Sequence, residues 1–265
     1  GMTDVHHVYE MPGVSSEDVI AGSLWDHGCL GIWEEERNGE LVLLAFFQEP
    51  RDIPIPGRWT TIEQRNWVAE YQATLQPFQI GELIVAPTHS TVTANAYEQV
   101  LWIDPGMAFG SGHHETTSMA IRALNNQSLA GKTVLDVGSG SGILALAAEK
   151  LGARATYGVD TDPEAVRVAR ENAARNRLQA KFAVGTLGSV PLKSQYDIII
   201  ANLYAELHVE LFAAYRQLLP IGGWLGITGI LQLKGGLVKN AIPAGFTLTN
   251  TEADGEWVLF ELTAV

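Results

Sequence analysis

The chain of 265 residues has room for one α/β domain and a smaller companion, and 46% hydrophobic against 18% charged residues excludes a disordered polypeptide. A formal net charge of −13 disfavours nucleic acid as the main ligand and favours a cationic partner such as a basic protein. The single cysteine, Cys29, excludes an intramolecular disulfide, and no apolar run approaches the roughly 20 residues of a membrane span, so a cytoplasmic protein off the membrane is expected.

Residues 1–58 read as a small α+β unit, in which Gly1 ahead of Met2 is taken as a tag remnant. Val5 to Glu10 is strand-like, and Ser15 or Ser16 is positioned to cap a helix that runs through Leu24 and stops near Gly28. Leu30 to Glu35 and Leu41 to Phe47 read as two strands joined by a turn at Arg37, Asn38 and Gly39. Pro50, Pro54, Pro56 and Gly57 then break the pattern. Residues 59–75 read as a linker helix, because Ile62, Asn66, Trp67, Val68, Tyr71 and Leu75 fall near one face.

Residues 76–265 carry an alternation of strands and helices that predicts a mostly parallel sheet covered on both faces. A helix is expected from Thr117 to Leu124. Strands are predicted at Thr133 to Val137, Arg154 to Val159, Lys181 to Val184, Tyr196 to Ala201 and Trp224 to Gly229. Helices fall at Ser141 to Leu151, Asp162 to Asn176 with Pro163 in its first turn, and Ala205 to Leu219. Phe246 to Thr251 and Trp257 to Leu262 read as a terminal antiparallel pair.

The motif with most chemical content is Asp136–Val137–Gly138–Ser139–Gly140–Ser141–Gly142, at a predicted strand-to-helix junction. A Walker phosphate loop ending at Gly131–Lys132–Thr133 would need glycine where Asn126 stands. A dinucleotide fingerprint beginning at Gly138 would need glycine where Ile143 stands. The spacing Asp-x-Gly-x-Gly-x-Gly instead resembles the first motif of the class I methyltransferases, whose cofactor S-adenosylmethionine presents a carboxylate and an amine to the loop. Asp160 closes the next predicted strand, where an acid can accept both ribose hydroxyls.

Two further segments accompany the loop: Asp104 to Thr117, which contains Pro105–Gly106–Met107–Ala108–Phe109–Gly110–Ser111–Gly112 and His113–His114–Glu115–Thr116–Thr117, and Ala201–Asn202–Leu203–Tyr204 at a strand end. With the glycine loop, these resemble the bacterial methyltransferases that modify large-subunit ribosomal protein eleven, in a likeness running from about Trp59 to Val258 and more loosely over the N-terminal unit. Ser111 stands where that family usually has threonine. The resemblance implies a Rossmann-like class I methyltransferase domain, with a mostly parallel seven-stranded sheet, and an N-terminal substrate-recognition unit. It implies S-adenosylmethionine as cofactor and ribosomal protein eleven as partner, methylated on lysine side chains and on its N-terminal α-amine. Thr117, Gly138, Asp160 and Asn202 are then expected to contact the cofactor, beside Asp136, Gly140 and Gly142 of the loop, with Phe109 as a wall of the site. A monomer is expected, with no direct nucleic-acid partner.

Asn202 is the expected catalytic residue, its side-chain carbonyl accepting a hydrogen bond from the attacking amine. His113 and His114 could act as a general base, but shaping the loop over the cofactor is the favoured role. A metal site on His113, His114 and Glu115 is disfavoured, and no metal is expected. Three rivals stay open: methylation of another protein, methylation of a nucleobase or glutamine amide, and a non-catalytic cofactor-binding or ribosome-assembly factor. Planar acceptors usually go with Asn/Asp-Pro-Pro-Tyr, whereas Asn202–Leu203–Tyr204–Ala205 lacks both prolines.

Overall fold

The computed structural model describes residues 5–63, 76–104, 114–188 and 195–265. Its first sheet combines β1 (Val5–Pro12), β2 (Gly31–Arg37), β3 (Glu40–Phe47) and β4 (Arg58–Glu63), all antiparallel, in the order β2-β3-β1-β4. Alternation along the strands sorts their side chains. Tyr9, Met11, Leu43, Ala45 and Phe47 pack with Leu24 of helix α1 (Asp18–Asp26), while Val8, Val42, Leu44 and Phe46 pack on the other face with Leu30 and Trp33.

Two expectations for this unit are corrected. The residue that precedes α1 is Glu17, which makes no side-chain cap, so neither Ser15 nor Ser16 caps the helix. The helix expected from Trp59 onward begins instead as β4, which pairs with β1 from Glu10↔Arg58 to Val5↔Glu63. Trp59, partly buried, packs its ring against Tyr9 and Phe47, with centroids 5.0 and 5.2 Å apart, and this aromatic packing outweighs the helical spacing of the residues that follow. The sheet therefore extends past Arg58. Asn66, Trp67, Val68, Tyr71 and Leu75 lie outside the described residues.

A second, three-stranded sheet of β5 (Phe78–Ile80), β6 (Leu83–Pro87) and β7 (Gln99–Ile103) was not anticipated. The end of β7 is held by two asparagines one turn apart at the end of a later helix, Asn172 within its last turn and Asn176 at its C-cap. Asn176 accepts from Trp102 N–H at 2.8 Å and donates to Trp102 C=O at 2.7 Å, and Asn172 does the same for Asp104 at 2.8 and 2.8 Å. These amides stand in for a neighbouring strand.

The remaining elements are α2 (His114–Asn125), β8 (Thr133–Val137), α3 (Ile143–Lys150), β9 (Ala155–Asp160), α4 (Pro163–Arg175), β10 (Lys181–Val184), β11 (Ile198–Asn202), α5 (Ala205–Gln217), β12 (Trp224–Leu231), α6 (Gly235–Asn240), β13 (Phe246–Asp254) and β14 (Trp257–Ala264). They form the expected α/β sheet of seven strands in the order β10-β9-β8-β11-β12-β14-β13, with β10 to β12 parallel and the terminal pair antiparallel. Asp162 caps α4 by accepting from Glu164 N–H at 2.9 Å, ahead of Pro163. Both faces are covered, with Ile198 and Ile200 turned to one core and Ile199 and Ala201 to the other. The chain order reverses between β8 and β11, so the loops after these strands flank the crevice where open α/β sheets bind ligands.

In the N-terminal sheet, the buried Glu10 carboxylate accepts from Arg37 at 3.1 Å and from Arg58 at 3.0 Å. Burial alone would push its pKa up, but the hydrogen bonds and charges of Arg58 and Arg37 hold it below the ordinary value. Stability from this group is present above the unfolded pKa near 4.5 and is lost as pH falls through the lower folded value. Because both arginines are partly exposed, Glu10→Gln is expected to cost only about 1–2 kcal/mol at pH 7. Urea unfolding should show this deficit at pH 7 and a smaller one at pH 3.

Candidate active site

The turn from β8 into α3 is built on left-handed backbone. Gly138, Gly140 and Gly142 have φ of 73°, 54° and 86°, a region that residues with a Cβ rarely enter. Gly138 N–H and Ser139 N–H both donate to Val159 C=O, at 2.8 and 3.0 Å, which ties the turn to β9. A Cβ on Gly142 would meet Phe182 at 2.9 Å and one on Gly138 would strike Leu203, whereas one on Gly140 would meet nothing within 4 Å. The outer glycines thus allow close packing, and Gly140 faces open space.

Asp160 lies at the end of β9 against this turn. Its Oδ2 accepts from Gly140 N–H at 2.8 Å and its Oδ1 from Asp162 N–H at 2.9 Å. Burial pushes its pKa up, while the backbone N–H groups pull the other way. Thr161 N–H adds a third backbone bond, and a carboxylate with about four acceptor sites still has room for a donor such as a hydroxyl. Asp136 is buried beneath the loop, where Oδ2 accepts from Ala145 N–H at 3.1 Å. That bond carries its organising role into the first turn of α3. Its pKa is pushed up to about 7, first by burial, and the charge of Asp160 adds to the rise.

Asn202 ends β11 on the other side of the crevice. Its Nδ2 donates to Thr116 Oγ1 at 3.2 Å. Thr117 lies next along α2 and is 8% exposed. Contacts from Gly140 to Asp160, from Gly138 to Leu203 and from Asn202 to Thr116 gather Thr117, Asp136, Gly138, Gly140, Gly142, Asp160 and Asn202 at one edge of the sheet. Phe109 and His113 lie outside the described residues. His114 opens α2, exposed, with Nε2 3.3 Å from Ser118 Oγ and its ring edge-on to Phe78 at 4.7 Å. Among the described residues no group of three His, Cys, Asp or Glu side chains is placed to hold a metal ion.

His208 was missed in the sequence, where one histidine in an amphipathic helix carries no signal. It is fully buried, donating from Nε2 to Thr228 C=O at 2.7 Å and accepting at Nδ1 from Tyr215 O–H at 3.0 Å. Burial pushes its pKa down to about 4, so the ring is neutral in this network. Thr228 C=O also accepts from Leu203 N–H at 3.1 Å, so His208 braces the backbone just beyond Asn202.

The site suits a ligand that is polar at several points. Asp136 Oδ1, Ser139 Oγ and Asn202 Oδ1 are buried atoms with no hydrogen-bond partner among the described residues. Groups of this kind are rare in native proteins unless a ligand or water completes them. With the open face of Gly140 and the Asp160 carboxylate, they fit S-adenosylmethionine, whose ribose diol and ammonium need acceptors and whose carboxylate needs donors such as a serine hydroxyl.

Fold and site together define an S-adenosylmethionine-dependent methyltransferase. The family profile described as Ribosomal protein L11 methyltransferase (PrmA) matches residues 24–264. The ribosomal protein L11 methyltransferase of Thermus thermophilus is 43% identical over 255 residues, covering 95% of this chain and 97% of its own. That of Deinococcus radiodurans is 40% identical over 268 residues, with the same coverages of 95% and 97%. A crystal structure of ribosomal protein L11 methylase from Lactobacillus delbrueckii subsp. bulgaricus superposes with a TM-score of 0.67 at 28% identity, covering 72% of this chain and 99% of that one. The chain belongs to the ribosomal protein L11 methyltransferase family.

The buried Asp136 supplies a pH signature. Between the unfolded pKa near 3.8 and the folded value of about 7, the native state holds a proton that the unfolded chain has lost. Wild-type stability from this group therefore falls as pH rises through that window and levels off above it. Asp136→Asn removes the titration. Melting temperatures recorded from pH 4 to pH 8 should show the variant gaining on the wild type as pH rises, and a constant gap would contradict the assignment.

Proposed function

We propose that this protein transfers methyl groups from S-adenosylmethionine to amines of ribosomal protein L11, on lysine side chains and on the N-terminal α-amine. The observation that carries the proposal is Asn202, an amide at the crevice with one end anchored and its carbonyl left without a partner. Relatives at 43% and 40% identity bear the name of that activity over nearly their whole length.

In this reading Asp160 holds the ribose hydroxyls, and the turn at Gly138, Gly140 and Gly142, with Thr117, holds the amino-acid end, while Phe109 walls the site. When bound, S-adenosylmethionine supplies an electrophilic methyl carbon on a positively charged sulfur. The acceptor must arrive as a neutral amine, although a free lysine has a pKa of about 10.4. Desolvation in the crevice lowers that value, and Asn202 Oδ1 accepts a hydrogen bond from the amine N–H, directing its lone pair at the methyl carbon. Orientation of this kind accounts for on the order of 7–11 kcal/mol of barrier lowering in well-aligned systems.

The N-terminal sheet, extended through β4, is the proposed capture surface for the ribosomal protein, and the net charge of −13 suits a basic substrate. We also take the protein to be a cytoplasmic monomer that makes no direct contact with nucleic acid. A planar acceptor is less well served. Tyr204, two residues after Asn202, packs against the N-terminal unit, since a Cβ on Gly22 would stand 3.0 Å from its ring. That ring is committed to an internal contact instead of stacking on a base.

Incubation of purified ribosomal protein L11 with the protein and S-adenosylmethionine should give mass increases in methyl steps that map to lysines or the N-terminus. An unmodified L11 in the presence of bound cofactor would overturn the substrate. Asn202→Ala should lower kcat by about 100-fold while weakening cofactor binding far less. Equal losses in both would assign Asn202 to binding alone.

A further inference from the structure

The fold treats the two ends of the Asn202 amide differently. Nδ2 donates to Thr116 Oγ1 at 3.2 Å, while Oδ1 is buried without a partner among the described residues. Thr116 has no solvent exposure and sits in the first turn of α2, 86 residues from Asn202 in sequence. Against the other end lies Gly229, with φ of 80°, in a stretch of β12 where the pairing with β14 shifts register between Ile227 and Ile230. A Cβ there would stand 2.7 Å from Asn202 Oδ1 and 2.5 Å from Leu203 C=O. The irregular strand therefore keeps clear a space beside Oδ1 that any larger residue would fill.

An amide that turned about its last torsion would present either a carbonyl or an NH2 group to an incoming amine. The two faces act oppositely. A carbonyl accepts the amine's N–H and leaves the nitrogen lone pair free to attack, whereas an NH2 group donates to that lone pair and occupies it. The orientation of Asn202 thus separates a productive complex from an inert one, and the contact that sets it comes from α2.

We infer that Thr116 is a positioning residue for methyl transfer: its hydroxyl oxygen holds Nδ2 of Asn202, so that Oδ1 is the end that meets the acceptor nitrogen. The inference rests on the role of Asn202 proposed above. Thr116 is wholly buried, so its effect on transfer runs through that amide.

The test uses the full chain, with L11 as acceptor and S-adenosylmethionine as donor. Thr116→Val keeps the side-chain shape and removes the oxygen. It should lower kcat about tenfold, the scale of one lost hydrogen bond, with the cofactor Kd within about twofold of wild type. Thr116→Ser should recover most of the rate, and Thr116→Ala replaces the valine variant if that one does not fold. In protein without cofactor, the Asn202 side-chain NH2 resonances should be protected from solvent exchange in the wild type and in Thr116→Ser. They should lose protection in Thr116→Val.

A double-mutant cycle separates this inference from the reading beneath it. In an Asn202→Ala background, Thr116→Val should cost nothing further. Multiplying losses, or unchanged Asn202 resonances in Thr116→Val, would overturn the positioning role while leaving Asn202 as the catalytic residue. An Asn202→Ala protein as fast as wild type would remove the role of Asn202 and the inference with it.

Discussion

The site depends on how the backbone after β8 reaches β9. Val159 C=O receives two N–H groups from the turn, and the Asp160 carboxylate receives a third from Gly140. Those three bonds fix the glycine turn and the acid as one unit, and they require the left-handed backbone at Gly138, Gly140 and Gly142. Asp160 is therefore a structural acceptor for the turn, and in the proposed reading it is also the group that holds the ribose. Its bonds to backbone N–H groups stabilise the carboxylate against the penalty of burial. A loop that lost its tie to β9 would also lose the acid's orientation.

The opposite wall is braced by a different device. Thr228 C=O takes N–H groups from Leu203 and from the His208 ring, and Tyr215 O–H completes the ring's other nitrogen. This network is buried, neutral and satisfied, so it holds the end of β11 without placing a charge there. Thr116 reaches the same strand end from α2. Asn202 is consequently fixed from beneath by β12 and from the side by α2, while Leu203 leans over Gly138 to join the two walls. These bonds hold the described residues of both walls in place, as catalysis by orientation requires.

Much of this was legible in the sequence because it rests on local signals. The alternation of buried strands and helices, the glycine spacing after β8, and Pro163 behind its capping Asp162 are each confined to one or two elements. Those elements stand where they were read. Apart from the local cap of α1, the readings that failed depend on partners far along the chain. Ile62 falls on the helical face read for its successors, but the pairing of Trp59 to Glu63 with β1 and the packing of the Trp59 ring on Tyr9 and Phe47 decide for the strand. β7 is short and weakly patterned, and its end is held by Asn172 and Asn176, about seventy residues later, through bonds that no window of sequence reveals. Thr116 and His208 were overlooked for the same reason. Thr116 stands beside the motif residue Thr117, and only the geometry shows that it grips Asn202.

A crystal structure with bound S-adenosylhomocysteine, the product left by methyl transfer, tests the central claim most directly. Ligand density is expected across the open face of Gly140, with both ribose hydroxyls on the Asp160 carboxylate and the homocysteine end between the glycine turn and Thr117. Ligand density away from Asp160, for example in the cavity of about 300 Å³ lined by Glu149, Tyr157 and Lys181 at the opposite edge of the sheet, would contradict it.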